Sequence, residues 1–463
     1  MNMKRTIFPL RSLLLALTCA SALASPKPNV ILIFADDLGY GDLGCYGAEK
    51  IRTPHLDRMA AEGVRFTDFY VAAEVCTPSR AALLTGRYPL RSGMCGDIER
   101  VLFANSKGGL PPAEITIAEP LRGAGYATMH IGKWHLGIHE GSRPLDQGFD
   151  HSFGLPYSND MDPRPGLPKG ATSSPTPPAD GWNVALMRDG KIIEQPADQT
   201  TLTKRYTEEA VKFIGEHKTQ PFFLYLAHTF PHVPLFASAD FKGKSKAGIY
   251  GDTVEELDWS VGQILETLRK EKLEQNTLVV FTSDNGPWLI MGECGGSAGP
   301  LRDGKGSTWD GGMRVPCVAW MPGRIKPAVS SQMVQAMDWF PTALSLAEVK
   351  LPEGVVLDGV NLSPLLLENQ PLPERPYFFY RGPHLFACRL GPWKAHFFTQ
   401  GAYGGPAKQS HEPPLLYHLG NDPGEKNNVA ADHPEVLEQI KSAVSAHQAK
   451  MVAGPKQLKS TKP

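Results

Sequence analysis

Three short apolar runs, each followed at once by polar side chains, constrain the fold of this chain most strongly. The runs NVILIFA (29–35), PFFLYLA (221–227) and LVVFTS (278–283) are continuous, which is typical of strands buried on both faces of a parallel sheet. Helical patterns lie between such runs, at 53–62, 116–123, 199–216 and 253–270. Because strands and helices alternate, the sequence predicts an α/β fold around a mostly parallel, doubly wound sheet.

Polar residues follow the carboxyl end of each run, where open α/β sheets bind their ligands. They are Asp36 and Asp37, then His228 and His232, then Asp284 and Asn285. The four oxygen donors among them suit Ca²⁺ or Mg²⁺ better than a softer metal. Alone, an Asp pair or an Asn-Gly step is usually a turn or a helix cap. Two such clusters at two strand ends favour a metal ion.

The amino-terminal segment has the pattern of a secretory signal. A basic start precedes an apolar run at 13–20, and small residues at Ala22 and Ala24 predict cleavage after Ala24. We therefore expect a secreted or periplasmic protein, with lipidation at Cys19 as the lesser alternative. No later segment is apolar enough to predict a membrane span. Lys and Arg total 47 against 48 Asp and Glu, so net charge does not point to nucleic acid.

The pattern predicts a large α/β domain at 25–371 and a C-terminal subdomain at 372–463. From Leu372, short strand-like pieces occur at 377–380, 385–389, 393–398 and 415–419, followed by a helical pattern at 434–448. They predict a small antiparallel sheet with a terminal helix, and the polar tail from Gly454 is expected to be disordered. Residues 156–178 are rich in Pro, Gly and Ser, which predicts a surface loop that either borders a substrate or is a tolerated insertion.

One cysteine stands out by its neighbours. In CTPSR followed by AALLTG, Pro78 suits a first helical turn and Gly86 the position after the last, so Cys76 is expected to begin a short helix. A helix start attracts anions and lowers a thiol pKa, and Arg80 lies one turn further on. A lone cysteine at such a position is more often buried and inert. No CxxC pair occurs, so a zinc framework is not expected.

Two lysines and a histidine have neighbours that let them reach a site. In GKWH, Lys133 and His135 are two residues apart and can face the same side of an extended segment. In GKG, glycines on both sides of Lys305 permit close backbone approach. Isolated lysines and histidines are usually solvated or structural, so this interpretation depends on the rest of the chain.

CTPSR with LLTG, and GYATMHIGKWH at 125–135, resemble the two signature segments of the formylglycine-dependent sulfatase family. Further segments resemble the family over nearly the whole chain, including IFADDLGYGD, PYSND, FTSDNG and GKGSTWDGG. One residue departs from the pattern, because Glu74 stands where small residues are usual.

The resemblance implies an alkaline-phosphatase-like α/β/α sandwich that hydrolyses sulfate monoesters to an alcohol and inorganic sulfate. It implies that a maturation enzyme oxidises Cys76 to formylglycine (3-oxoalanine), and that one Ca²⁺ is held by Asp36, Asp37, Asp284 and Asn285. It also implies roles for the cations: Lys133, His232 and Lys305, with Ser158, contact the sulfate or its ester oxygen, while His135 and Arg80 position the hydrated aldehyde.

In the mechanism that the resemblance implies, one hydroxyl of the hydrated aldehyde attacks sulfur and His232 or Lys305 protonates the departing alcohol. The other hydroxyl then loses its proton to His135 and sulfate is expelled. The expected substrate is an aryl sulfate or a sulfated carbohydrate. Two alternatives stay open: a phosphonate or phosphate ester hydrolase of the same superfamily, and a sulfated-glycan-binding protein without turnover.

Overall fold

The computed structural model describes residues 27–458, so the predicted signal segment and Cys19 lie outside the described residues. Its strands, in chain order, are β1 (Asn29–Ala35), β2 (Val64–Phe66), β3 (Phe69–Tyr70), β4 (Ala127–Lys133), β5 (His151–Leu155), β6 (Leu186–Arg188), β7 (Lys191–Glu194), β8 (Phe222–Ala227), β9 (Thr277–Ser283), β10 (Cys317–Trp320), β11 (Ala328–Ser330), β12 (Val334–Gln335), β13 (Tyr377–Arg381), β14 (His384–Leu390), β15 (Trp393–Thr399) and β16 (Gln409–His418). Its α-helices are α1 (Pro54–Glu62), α2 (Cys76–Thr85), α3 (Pro89–Ser92), α4 (Ala118–Gly123), α5 (Leu202–Glu216), α6 (Gly248–Lys270), α7 (Asp310–Met313), α8 (Trp339–Leu346), α9 (Ser363–Glu368) and α10 (Pro434–Lys450).

Ten strands form one mixed sheet in the order β11-β2-β10-β9-β1-β8-β4-β5-β6-β7. The five central strands, from β9 to β5, are parallel, and the antiparallel pairs lie towards the two edges. Every residue of β1, β8 and β9 is buried, as their unbroken apolar sequences predict. The predicted α/β fold with a mostly parallel sheet is confirmed.

Each face of the central sheet has its own apolar core. Ile31 and Ile33 of β1 point to the face that α1, α5 and α6 cover, whereas Val30 and Leu32 point to the face of α2, α4, α8 and α9. This alternation along a fully buried strand produces the three-layer α/β/α sandwich.

The C-terminal region adds a second, antiparallel sheet in the order β13-β14-β15-β16, with α10 packed against it. Tyr377 and Phe379 of β13 belong to the same apolar core as β1 and α8, so this sheet packs directly on the main layer. Helix α10 packs through Leu437, Ile440 and Val444.

Several boundaries differ from the sequence prediction. Helix α6 begins at Gly248 instead of residue 253, and β16 begins at Gln409 instead of residue 415. The start of β16 was missed because its first residues are mostly exposed and carry no apolar pattern. The expectation of a disordered tail is wrong for residues 454–458. Gly454 donates to the carbonyl of Leu90, Gln457 donates to that of Gly93, and Leu458 is buried, so α3 anchors this segment.

Candidate active site

The parallel strands end level with one another, which places the predicted site residues at one edge of the sheet. Ala35 of β1 pairs with Ser283 of β9, and Ala227 of β8 pairs with both Phe34 and Gly132. The residues that follow these positions are therefore neighbours: Asp36 and Asp37, Asp284 and Asn285, and Lys133 at the end of β4.

The four oxygen-bearing residues predicted as metal ligands do converge. Asp37 donates its backbone N–H to Oδ1 of Asp284 at 3.1 Å, and the side-chain amide of Asn285 donates to Oδ1 of Asp37 at 2.7 Å. All four side chains are buried. Asp37 also has a left-handed backbone, with φ of 65°, which aspartate tolerates better than most residues and which is common at functional sites.

The electrostatics of this group fit a cation. Burial and the nearby charge of Asp36 raise the pKa of Asp284 to about 7, despite the opposing Arg80. Burial also raises the pKa of Asp37 against the attraction of Lys305. Among the described residues, Oδ1 of Asp36 and Oδ1 of Asn285 are buried and have no hydrogen-bond partner. Two orphaned oxygens beside crowded carboxylates are the donors that a hard metal ion would take.

His232 also reaches this group, because one ligand atom each from Asp36, Asp37 and His232 lie within 4.8 Å of one another. These three residues could hold a metal ion. The Nδ1 of His232 lies 2.5 Å from the carbonyl of Val233, so Nε2 faces Asp37 Oδ2, at 3.7 Å. His228, the other histidine after β8, points elsewhere and lies 3.3 Å from Ser260 in the helical layer.

Cys76 begins α2 as predicted, and Gly86 ends that helix in the left-handed conformation. The side chain is 3% exposed. The expected lowering of the thiol pKa is wrong, because burial raises the pKa of Cys76 more than the charges of Lys133 and Lys305 lower it. The unmodified thiol in this setting is therefore a poor nucleophile.

Arg80 extends from the same helix into the acidic group. Its Nε and Nη2 donate to Oδ2 of Asp284 at 3.0 and 2.9 Å, and Nη1 donates to the carbonyl of Lys133 at 2.9 Å. The guanidinium is fully buried. It thus links α2 to the ends of β9 and β4.

Lys133 and Lys305 each form an ion pair with one carboxylate of the group. Lys133 Nζ donates to Oδ2 of Asp36 at 2.6 Å and to Ser158 Oγ at 3.3 Å, while Lys305 Nζ lies 2.8 Å from each oxygen of Asp37. Ser158 Oγ is in turn 3.5 Å from His232 Nε2. The predicted close approach at the glycines beside Lys305 is confirmed, because a Cβ on Gly304 would lie 2.3 Å from the carbonyl oxygen of Pro287.

His135 lies beside the first turn of α2. Thr77 donates its hydroxyl to the carbonyl of His135 at 3.1 Å, and His135 Nε2 is 2.7 Å from the carbonyl of Leu102. Its Nδ1 has no partner among residues 27–458. Burial, followed by the charge of Lys133, holds the pKa of His135 well below its ordinary value. The low pKa favours the neutral imidazole, and a hydrogen on Nε2 directed at the Leu102 carbonyl leaves the lone pair on Nδ1.

Sequence reasoning missed four residues around the site. Asp160 is a carboxylate whose pKa burial raises, near Lys133 and Lys305. The ring of Trp288 lies 4.2 Å from Lys305 Nζ and 5.4 Å from the ring of His232. The ring of Tyr403 lies 5.7 Å from that of Trp288 at a tilted angle, and the Arg100 guanidinium lies over the Tyr403 ring. These residues belong to loops without periodicity, although Asp160 stands two residues after the predicted Ser158 in PYSND.

The fold and this site together define a class of hydrolase built on the alkaline-phosphatase-like sandwich. The sequence matches the family model described as sulfatase over residues 28–349, and the model for the C-terminal region of aryl-sulfatase over residues 372–463. The chain belongs to the sulfatase family, and it is an enzyme of the sulfuric ester hydrolase class.

Relatives in both sequence and structure agree with this membership. The chain is 45% identical to human arylsulfatase A, over 93% of this chain and 89% of that protein. It is 41% identical to N-acetylgalactosamine-6-sulfatase of Sus scrofa, over 95% of this chain and 89% of that protein. Among solved structures, the PsFucS1 sulfatase from Pseudoalteromonas sp. superposes with a TM-score of 0.80 at 28% identity, covering 92% of each chain. Within residues 27–458, no helix has the length and apolar character that crossing a membrane requires.

Proposed function

We propose that this protein hydrolyses sulfate monoesters of an aryl alcohol or a carbohydrate, with a nucleophile formed by oxidation of Cys76 to formylglycine. One observation carries the proposal: a cysteine whose thiol is disfavoured as a thiolate lies at a helix start, within the electrostatic reach of two buried lysines and of the oxygen cluster. The surroundings thus suit an anionic substrate but not thiolate chemistry.

Calcium is the ion that we propose for the oxygen cluster. Asp36, Asp37, Asp284 and Asn285 would hold it, since oxygen ligands with three carboxylates match calcium better than a transition metal. His232 is kept as a substrate contact, because its Nε2 lies 3.5 Å from Ser158 Oγ and its ring lies 5.4 Å from the ring of Trp288. The ion would supply positive charge for the sulfate oxygens.

Formylglycine would supply, as its hydrate, a hydroxyl nucleophile at residue 76. The neighbouring side chains do the remaining work. Lys133 and Lys305 bind the sulfate oxygens, and Ser158 donates a further hydrogen bond. Arg80 fixes the first turn of α2 against Asp284 and β4. His135 accepts a proton at Nδ1, the nitrogen that has no partner among the described residues.

The proton for the departing alcohol comes from Lys305 or His232. Burial opposes the charge of Lys305, but Asp37, Cys76 and Asp36 outweigh it and raise its pKa, so its ammonium is present before substrate arrives. Burial and then Lys305 hold the pKa of His232 well below its ordinary value. His232 can therefore donate at Nε2 only after the sulfate anion has stabilised its protonated form.

The nucleophile is tested by replacing Cys76 with Ala and measuring free sulfate from an aryl sulfate. We expect activity to disappear while circular dichroism and the unfolding midpoint are retained. Glu293→Ala is the matched control, because this exposed acid lies outside the cluster. Full sulfate release by the Cys76→Ala protein would disprove the proposal.

Matched sulfate and phosphate esters of one phenol separate this function from the phosphoester alternative. We expect sulfate to be the faster substrate, and a large preference for phosphate would favour the alternative. The proposal also includes export to the periplasm or the medium after cleavage near Ala24, and a maturation enzyme that oxidises Cys76. Amino-terminal sequencing of the exported protein tests the cleavage site.

A further inference from the structure

Glu74, the residue that departs from the family pattern, has a partner in Arg100. The guanidinium Nη2 of Arg100 donates to Glu74 Oε1, and the same nitrogen donates to the carbonyl of Gly306 at 3.3 Å. The backbone N–H of Gly306 donates to the carbonyl of Glu74 at 2.8 Å. Because Gly306 follows Lys305, these contacts place Arg100 beside a lysine that we assign to sulfate binding.

A second guanidinium meets the same carbonyl. Arg381, at the end of β13, donates through Nη1 to Gly306 and lies 3.5 Å from the carbonyl of Gly401. Burial, and after it the charge of Arg100, lower the pKa of Arg381, as expected of two cations in close proximity. An anion between or beside these guanidinium groups would relieve that repulsion.

Arg100 retains donors that the protein does not use. Its Nε and Nη1 are buried and have no hydrogen-bond partner within the described part of the chain, although Nη2 is occupied twice. Buried guanidinium donors without partners are uncommon, since each one costs desolvation energy. Nε and Nη1 lie on different edges of the guanidinium, so each can donate to one oxygen of a carboxylate or a sulfate.

These donors lie along an aromatic wall that starts at the sulfate pocket. The rings of His232, Trp288 and Tyr403 follow one another at 5.4 and 5.7 Å, and the guanidinium carbon of Arg100 lies 4.8 Å from the Tyr403 centroid. A Cβ on Gly306, which has φ of 91°, would meet the Tyr403 ring at 3.1 Å and Arg100 Nη1 at 3.4 Å. The absence of a side chain at Gly306, the residue after Lys305, thus lets Arg100 Nη1 lie close to the Tyr403 ring.

We propose that Arg100 and Arg381 form a second anion subsite beside the sulfate pocket, with Trp288 and Tyr403 as the wall along which the substrate lies. The subsite rests on the proposed sulfatase function and narrows it. It binds a carboxylate or a second sulfate on the alcohol half of the substrate. The substrate class that follows is a saccharide with at least two negative charges, rather than a neutral phenol or sterol.

The test compares kcat/KM for three versions of one disaccharide: with a single sulfate, with that sulfate and a uronate carboxylate, and with two sulfates. We expect the wild-type enzyme to prefer one of the dianionic forms by about tenfold, the gain of one charge-assisted hydrogen-bonded contact. The preferred form identifies the anion. Equal values for all three substrates would overturn the proposal.

Variants locate the preference. Arg381→Gln is expected to reduce about tenfold the ratio of kcat/KM for the preferred dianionic disaccharide to kcat/KM for the monosulfated one. A Glu74→Gln/Arg100→Gln double variant should do the same without leaving Glu74 as an unpaired buried charge. Lys408→Gln removes one exposed cation from the loop between β15 and β16, which also carries Tyr403, and should leave the ratio as it is. A preference that survives in both subsite variants, or that Lys408→Gln also abolishes, contradicts the assignment.

Binding without turnover separates this proposal from the proposed function. Calorimetry on the Cys76→Ala protein should give about tenfold tighter binding of the preferred dianionic disaccharide than of the monosulfated one, and Arg381→Gln should remove the difference. If this holds but wild-type enzyme releases no sulfate, the function fails and the subsite stands. If affinities are equal while wild-type enzyme does release sulfate, the subsite alone fails.

Discussion

Each of the three carboxylates in the oxygen cluster has its own buried cation. Asp36 is paired with Lys133, Asp37 with Lys305 and Asp284 with Arg80, at 2.6 to 2.9 Å. Such pairs are costly to break singly, because the remaining charge stays buried. Substitution of any one member is therefore expected to affect both stability and activity, and careful variants are needed to separate the two.

Dependence on the leaving group identifies the proton donor. If Lys305 protonates the departing alcohol, Lys305→Met should slow hydrolysis of an alkyl sulfate at least about tenfold more than that of p-nitrophenyl sulfate, whose leaving group needs little protonation. His232→Gln would then slow both esters to similar extents. The measurement is kcat/KM for each ester. The reverse pattern would assign the proton to His232.

Calcium is expected to stabilise the fold through the orphaned oxygens of Asp36 and Asn285. Removal of calcium by a chelator should lower the unfolding midpoint, and added calcium should restore it. At a calcium concentration a thousandfold above Kd, the free energy of unfolding should rise by about 4 kcal/mol. Differential scanning calorimetry measures the shift. Asn285→Leu should remove most of it. A midpoint that does not respond to chelator would rule out a metal at this cluster.

At the residue scale, the sequence predicted which side chains come together in the candidate site, because they lie in short motifs at strand and helix ends. Arg100 and Tyr403 were missed, since each lies in an irregular loop that only tertiary structure brings near Cys76. The pKa of Cys76 was misjudged for a related reason. The position at a helix start is visible in sequence, whereas complete burial of the thiol is not.

At the scale of the elements, a carboxylate of α6 caps the amino-terminal end of α1. The first backbone N–H groups of α1, from His55 and Leu56, donate to Asp258 at 3.2 and 2.8 Å. Thr53, the N-cap residue, makes no side-chain cap. Asp258 therefore caps α1 from another helix and joins two members of one helical layer.

This cap predicts a pH dependence. Burial raises the pKa of Asp258 from 3.8 to about 7, so between these values the folded chain holds a proton that the unfolded chain has lost. The contribution of Asp258 to stability therefore falls as pH rises from about 4 to about 7. Urea unfolding across this range should show a smaller decline in Asp258→Asn than in the wild type. Parallel curves would show that Asp258 ionises normally.

Across the whole molecule, a buried polar network joins the C-terminal sheet to α7 of the preceding region. Lys394 of β15 donates to Asp310 at 2.8 Å and to Glu425 at 3.2 Å, and Glu425 also accepts from the backbone of Asp310 and contacts His396. Asp310 begins α7, five residues after Lys305. The C-terminal sheet thus supports the segment that carries a proposed sulfate ligand.

Glu425→Ala should lower the free energy of unfolding by about 3–5 kcal/mol, because it leaves Lys394 and His396 without their shared carboxylate. Chemical denaturation measures the loss. Glu435→Ala, which removes an exposed acid from the first turn of α10, should cost under about 1 kcal/mol. Similar losses in the two variants would mean that the network does not hold the C-terminal sheet against α7.

The whole-molecule architecture was predictable where apolar runs are long and continuous, as in β1, β8 and β9. The strands β6, β7 and β11, at or next to the sheet edges, were not predicted, because they are short and partly exposed and their sequences lack alternation. The packing of residues 454–458 on α3 was missed since it rests on backbone hydrogen bonds, which leave no pattern in the sequence. The two-region division at residue 372 remains a prediction.

The most direct test of the account is the mass of the tryptic peptide that contains residue 76, taken from protein made in a host with a formylglycine-generating enzyme. We predict an aldehyde at that position, trapped by a hydrazine reagent, in protein that releases sulfate. An unmodified Cys76 thiol throughout fully active protein would contradict the account.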